Sequence, residues 1–229
     1  LIGRYKTEET TPDEVATQLL EQACARLAAN GRTLAVGPMD GNTWQPYRFV
    51  TERGNEPPFF LEPNNPDEWP RHFFANGFAP LAEYYSTLTT DLTVRDVRID
   101  ATAQRMTSLG VTLRSLRRTE FTTELARIYA VSARAFQNNF LYTPISQTDF
   151  IAQYEPLKRF VQPELVLLAE CEQHVVGFLF AVPNALQAVM DTFIIKTVAV
   201  LPEQQFAGLG SLLVARSHEI AASLGYKRA

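Results

Sequence analysis

The stretch Thr197-Val198-Ala199-Val200-Leu201-Pro202-Glu203-Gln204-Gln205-Phe206-Ala207-Gly208-Leu209-Gly210-Ser211-Leu212-Leu213 decides the fold. A strand ends at a proline, a short loop follows, and two glycines open a helix. Backbone N–H groups at a helix start have no partner inside the helix, and the aligned peptide dipoles add partial positive charge there. Such a terminus can hold a phosphate if no side chain blocks its approach, a condition that glycines meet. Two common nucleotide patterns fail on residue identity. A Walker loop needs a lysine after its last glycine, where Ser211 stands, and a dinucleotide fingerprint needs a third glycine, where Leu213 stands. The plain alternative is a helix-start turn whose glycines serve packing alone.

Upstream of this stretch the second half of the chain reads cleanly. Val111–Leu116 alternates as a strand. A helix begins at Thr119 or Thr122 and runs to about Asn138, with Leu125, Ile128, Tyr129 and Phe136 on one side. Ser146–Phe160 reads as a second helix. Glu164–Glu170 and Val175–Val182 read as a hairpin with Glu172-Gln173 at its turn, and Phe193–Val200 as a further strand. The last helix spans about Ser211–Ser223. The run Arg114, Arg117 and Arg118 reads as a solvated face.

Gln205-x-x-Gly208-x-Gly210, preceded by Val198-x-Val200 and a proline, resembles the acyl-CoA-binding motif of the GNAT superfamily of N-acetyltransferases, which is (Gln/Arg)-x-x-Gly-x-(Gly/Ala). The order strand, helix, helix, strand, hairpin strand, long strand, helix from Val111 to Ser223 also fits that family. The resemblance implies a mixed α/β (α+β) fold with mainly antiparallel sheets and acetyl-CoA as cosubstrate, without a metal. Val198 and Val200 would offer backbone groups to the pantetheine arm, as an added β partner does. Gln205, Ala207, Gly208, Leu209, Gly210 and Ser211 would surround the pyrophosphate. A backbone N–H near Val198 would polarise the thioester carbonyl. The implied reaction is direct attack of an amine, on a small molecule or a peptide, upon the acyl group. A catalytically silent acyl-CoA-binding or assembly module is the alternative, and a homodimer is compatible with either.

Catalytic residues are less evident. Some members of that family carry a glutamate about four residues before the position of Val198, where this chain has Ile194. Many use a tyrosine beyond the next strand, a segment that would follow Ala229. The remaining polar candidates are Tyr142, Asp191, Lys196 and Thr197, of which Lys196 or Thr197 faces the cleft because strand neighbours point to opposite faces. The stretch Asn138–Pro144 would shape the acceptor pocket.

The first half begins with a strong helix over Thr11–Asn30, with Pro12 at its first position and Asp13 and Glu14 at the positive end of its dipole. Strands are expected at Thr33–Val36, Tyr47–Thr51 and Phe78–Thr89, with a short helix over Glu68–Asn76. Leu19-Leu20 and Leu27-Ala28-Ala29 are echoed by Leu212-Leu213 and Ile220-Ala221-Ala222 at the same spacing. The echo suggests a duplication. Residues 1–95 are then a degenerate GNAT-like lobe, 96–109 a linker, and 110–229 the acyl-CoA-binding lobe. The first lobe would lack its beginning and the second its last strands. Val15 and Thr17 replace the two glycines in the first copy, which is therefore expected to bind no CoA and to support the second lobe or wall its acceptor pocket.

Composition narrows the remaining classes. The chain has 229 residues, 46% of them hydrophobic and 11% aromatic, which excludes a disordered or low-complexity chain. Its 25 acidic against 21 basic residues argue against a general nucleic-acid binder. Apolar runs are broken by Pro183 and Asn184, short of the ~20 residues that cross a bilayer. No charged-then-apolar leader opens the sequence, and the expected location is the cytoplasm. Cys24 and Cys171 read as reduced, packed thiols. His72, His174 and His218 share no ligand spacing, so no metal site is expected.

Overall fold

The computed structural model describes residues 1–8 and 10–229. The chain forms two compact units, one of residues 1–86 with 141–143 and one of residues 87–140 with 144–229.

The second unit is built on a four-stranded antiparallel sheet in the order β1 (Thr112–Ser115), β2 (Val166–Cys171), β3 (His174–Pro183), β4 (Phe193–Val200). Between β1 and β2 lie α4 (Phe121–Ala135) and α5 (Gln147–Tyr154), and α6 (Leu209–Ser223) follows β4. This is the element order that the family resemblance implies. The β2–β3 hairpin closes through Glu172 and Gln173, both left-handed at φ 48° and 67°, which matches a two-residue turn to the right-handed strand twist. Most of β2 and β3 is buried on both faces, so these strands read as continuous apolar runs without alternation. On one face Leu167, Ala169, Leu179, Ala181 and Phe193 pack with Leu209 and Leu213 of α6. By alternation Leu168, Phe178 and Phe180 point the other way, where α4 lies over β3 and β4 and Tyr154 of α5 meets Phe180 edge-on.

Three sequence expectations are corrected in this unit. Residues 96–109, expected as linker, contain a helix, α3 (Ile99–Ser108), which packs on α6. Ile99, Ala103 and Met106 form its apolar stripe, and Ile99 and Met106 are buried in the core shared with α6. The expected helix Ser146–Phe160 is α5 followed by a 3-10 turn over Glu155–Arg159, because Pro156 cannot donate into an α-helical ladder. Arg114 is not on a solvated face. Its guanidinium bonds both oxygens of Glu124, at 2.7 and 3.1 Å, and Glu170 at 2.7 Å. Arg127 also bonds Glu124, which is fully buried.

The first unit carries α1 (Asp13–Ala29) and α2 (Glu68–Ala75), as expected, but no strand among its described residues. Thr33–Val36, Tyr47–Thr51 and Phe78–Thr89 form no strand, although Thr89, already in the second unit, exchanges two backbone hydrogen bonds with Ala229 at 2.8 and 2.9 Å. Asn65 shows why at one of them: its side chain bonds both the N–H and the C=O of Val50, at 2.7 and 3.1 Å, where a partner strand would pair. Order comes from an aromatic cluster around Tyr5, which meets Phe49, Trp69 and Phe73 edge-on and hydrogen-bonds His72 Nδ1 at 2.8 Å. The echo between α1 and α6 is therefore one of helices alone. Leu212 and Leu213 are both buried, whereas Leu19 is exposed beside buried Leu20.

Removing one partner of a buried ion pair leaves a charge without compensation, at a cost of about 3–5 kcal/mol. Arg114→Ala leaves Glu124 with Arg127 and is therefore expected to lower unfolding stability by up to about 3 kcal/mol in denaturant titrations; a loss under about 1 kcal/mol would contradict the buried network. The hydrogen bonds from Arg114 hold the Glu170 carboxyl below its ordinary value of 4.5, against the opposing effect of burial. A carboxyl depressed in the folded state contributes fully above 4.5 and loses that contribution as pH falls through its folded value. Stability is therefore expected to fall below pH 4.5, and less steeply in Glu170→Gln.

Candidate functional site

The site sits where β4 gives way to α6. β4 is the edge of the sheet, and beyond Thr192, which bridges in parallel to Arg228, no strand lies along its outer side among the described residues. Its pairing with β3 skips one residue: Thr197 opposes Phe180 and Ile195 opposes Ala181, so Lys196 forms a bulge. The bulge resets the alternation. Ile195 before it and Val198 and Val200 after it all reach the core beneath α6, while Thr197 and Ala199 lie on the α4 face.

After Pro202 a 3-10 turn over Gln204–Phe206 leads to Gly208, which caps α6 in the left-handed conformation at φ 84°. A Cβ at Gly208 would be strained by that angle and would lie 3.2 Å from Thr102 Cγ2. Gly210 differs, because a Cβ there would meet Val198 Cγ1 at 3.7 Å and Val200 Cγ2 at 3.9 Å, ordinary contacts. Gly177 in β3 lets the start of the helix close on the sheet; a Cβ there would lie 3.2 Å from Ala199 O and 3.3 Å from Leu209 Cδ2.

The N-terminus of α6 has no side-chain cap and no acidic residue in its first turn. Leu212 N–H reaches Gly208 O at 3.1 Å, which leaves Leu209, Gly210 and Ser211 as the amides without an intrahelical acceptor. Gly210 and Ser211 line a cleft of about 380 Å³ together with Val200, Pro202, Phe206 and Gly208. A second cleft of about 390 Å³ shares Gly210 and Ser211 and extends past Val198 to Val94, Ile99 and His218. The two clefts together trace a groove across the start of α6 and along β4. Burial depresses the His218 imidazole below its ordinary value and favours its neutral form.

Charge in the groove is mixed. Glu203 lines the first cleft, and Arg134 compensates it through a bond to Oε1. The Glu203 carboxyl is lowered by its own backbone N–H and by Arg134, against the desolvation that would raise it. From α3, Arg105 donates Nη1–H to Gln205 O at 2.9 Å and Nη2–H to Ala207 O.

Of the residues singled out in sequence, Val198, Val200, Ala207, Gly208, Gly210 and Ser211 line this groove. Gln205 belongs to the loop that forms it, and Leu209 turns its side chain into the core. Three of the four catalytic candidates lie on or beside β4 in the second unit. Asp191 Oδ1 accepts from Thr192 Oγ1 at 3.0 Å, and its carbonyl accepts from Lys227 N–H, which fastens the chain end to the start of β4. Lys196 is the exposed bulge residue, and Thr197 is half-buried on the opposite face from Val198. Tyr142 belongs to the first unit, edge-on to Trp44 at 6.0 Å. Arg105 and Thr102 escape a motif search because they lie about 100 residues upstream, on a helix whose apolar stripe is short. Among the described residues no group of three or more His, Cys, Asp or Glu is placed to hold a metal ion. No described helix is long and apolar enough to cross a membrane.

No family model matches the chain. Protein YghO of Escherichia coli (strain K12) is 24% identical over 182 residues, 78% of this chain and 46% of that protein. The chain thus spans about half the length of the curated relative it matches. Solved structures of similar fold include a GCN5-related N-acetyltransferase from Sphaerobacter thermophilus, at 19% identity over 52% of this chain and 34% of that one, with a TM-score of 0.42. A GNAT family acetyltransferase from Brucella melitensis, in complex with acetyl-CoA, shows 20% identity over 51% and 71% of the two chains and a TM-score of 0.38. L-PGS from Bacillus licheniformis shows 14% identity over 62% and 43%, with a TM-score of 0.44.

The two glycines are expected to separate by substitution. Gly208→Ala should cost about 1–2 kcal/mol for a left-handed non-glycine residue, whereas Gly210→Ala should be neutral or stabilising by up to about 1 kcal/mol within a helix. Thermal unfolding of the two variants checks this, and equal losses would contradict the assigned geometry.

Proposed function

We propose that the second unit is a GNAT-type, acyl-CoA-dependent N-acyltransferase that transfers an acetyl group from acetyl-CoA to an amine. One observation carries this reading. The uncapped start of α6, at Gly208, Gly210 and Ser211, lines a groove that reaches Val200 and Val198 of the edge strand β4. Such a terminus favours an anion, and a strand edge favours an extended chain of alternating amides. Acyl-CoA is a ligand with both parts, a pyrophosphate joined to an amide-containing pantetheine arm. The motif Gln205-x-x-Gly208-x-Gly210 supports the same assignment, and the room for a Cβ at Gly210 fits the family's acceptance of alanine there.

In this reading the α6 amides and Gly208 hold the pyrophosphate, and Val198 and Val200 align the pantetheine arm through their backbones. A backbone N–H near Val198 stabilises the negative charge that develops on the thioester oxygen. The amine nitrogen forms the new bond to the carbonyl carbon as the carbon–sulfur bond breaks, and the thiolate takes up a proton. The acceptor would approach from the α4 face of the bulge.

A catalytically silent acyl-CoA-binding module is the second reading. It is favoured by the half-buried aliphatic Ile194 at the strand position of the family's carboxylate.

Titration calorimetry with acetyl-CoA is expected to show saturable binding, with a Kd between about 1 µM and 1 mM as for typical substrates. Gly210→Asp should weaken it more than tenfold, because a carboxylate at about 4 Å from a phosphate costs several kcal/mol at the effective dielectric of a protein surface. Unchanged affinity in a folded variant would contradict the assignment. Release of free CoA thiol across a panel of amines separates the two readings: turnover supports the enzyme, and tight binding without turnover supports the module.

A further inference from the structure

The loop between β4 and α6 makes few bonds of its own. Phe206 N–H reaches Glu203 O at 3.0 Å and Ala207 N–H reaches Gln204 O at 3.1 Å, after which the chain turns through Ala207 (ψ 133°) into left-handed Gly208. The carbonyls of Gln205 and Ala207 are taken by one side chain, Arg105, whose two guanidinium nitrogens span them. A planar trans peptide points its C=O and its following N–H in opposite directions. Anchoring Ala207 O on Arg105 therefore turns the Gly208 N–H away from α3. Arg105 does not line the first cleft, whereas Ala207 and Gly208 do. Thr102, one turn before Arg105, lies against Gly208 on the same side. Among the described residues no carboxylate pairs with Arg105, so its positive charge stands beside the loop without an anionic partner in the protein. Other arginines nearby differ in this respect: Arg95 is held by Asp100 and Glu219, Arg98 by Asp96, and Arg134 by Glu203.

We infer that Arg105 is a positioning residue of the acyl-CoA site, which fixes the Gln205–Gly208 loop with its amides toward the cleft and so makes α3 part of that site. The inference rests on the acyl-CoA reading of the α6 terminus. Guanidinium geometry suits the task, since a rigid fork can hold two carbonyls at a set separation and a lysine ammonium can hold one at a time while keeping the charge. Truncation removes both the clamp and the positive potential, and the freed loop can then rotate its peptides away from the ligand.

The experiment is acetyl-CoA titration calorimetry on the intact chain and on Arg105→Ala, Arg105→Lys and Thr107→Ala, the last an exposed residue on the same helix, with melting temperatures measured in parallel. Arg105→Ala is expected to raise Kd about tenfold or more, Arg105→Lys to recover to within about threefold of the parent, and Thr107→Ala to leave Kd unchanged, with similar melting temperatures throughout. If the parent binds and Arg105→Ala binds within threefold of it, the positioning role is overturned while the acyl-CoA reading stands. If Arg105→Ala and Arg105→Lys lose affinity equally and melt several degrees lower, Arg105 serves the fold alone and the inference is again overturned. If the parent itself does not bind acetyl-CoA, the acyl-CoA reading falls and takes the inference with it.

Discussion

β3 and β4 pair from Pro183–Phe193 to Gly177–Val200 with a single residue, Lys196, left over. Without that bulge, strict alternation would carry Ile195 and Thr197 to one face and put Val198 with Ile194 on the other. With it, Phe193, Ile195, Val198 and Val200 all pack on the α6 side. The sheet edge then offers α6 an apolar seat along its whole length, and Gly177 lets the first turn settle closely on it. Where that turn begins fixes where its three unpaired amides lie. They come to rest at the end of β4, beside a strand edge that no other strand covers among the described residues.

The two faces of the sheet are organised by different forces. The α6 face joins Leu209, Leu212 and Leu213 to Ile99 and Met106 in one apolar core, so α3 is held to the same body as the candidate site. The α4 face has its own apolar layer, and at its β1 margin Arg114 ties β1, β2 and α4 together through Glu170 and Glu124. Burial opposes the charge of Arg114, but the bonds to Glu170 and Glu124 outweigh it and hold the guanidinium above its ordinary value. A buried pair of this kind favours one arrangement of β1 against α4, since any slip would break the Arg114 bonds and leave buried Glu124 with Arg127 alone.

Much of the second unit was legible in the sequence. The β2–β3 hairpin, β4 and α6 carry their periods openly, and the glycine loop announces the helix start. α3 was not legible, because its stripe of Ile99, Ala103 and Met106 is short and interleaved with Asp100, Gln104 and Arg105. The place of Arg114 is not legible locally, since a run of arginines says nothing of the carboxylates that folding brings to it from 10 and 56 residues away. In the first unit, β-forming residues at Tyr47–Thr51 and over 78–86 found no partner strand, and propensity without pairing does not make a sheet. The glycine loop before α6 could be read locally for the same reason that no catalytic group could be. A helix terminus is built from consecutive residues, whereas a proton-transfer pair depends on contacts that tertiary structure alone decides.

In the acyl-CoA reading, the α6 amides receive the ligand's phosphates. A ¹⁵N–¹H correlation spectrum recorded during acetyl-CoA titration tests it at those atoms. The expected result is that the amides of Gly208, Leu209, Gly210 and Ser211 shift in step with saturation and more strongly than those of the first unit. Saturable binding that leaves these four resonances in place, or their insensitivity to millimolar acetyl-CoA, would contradict it.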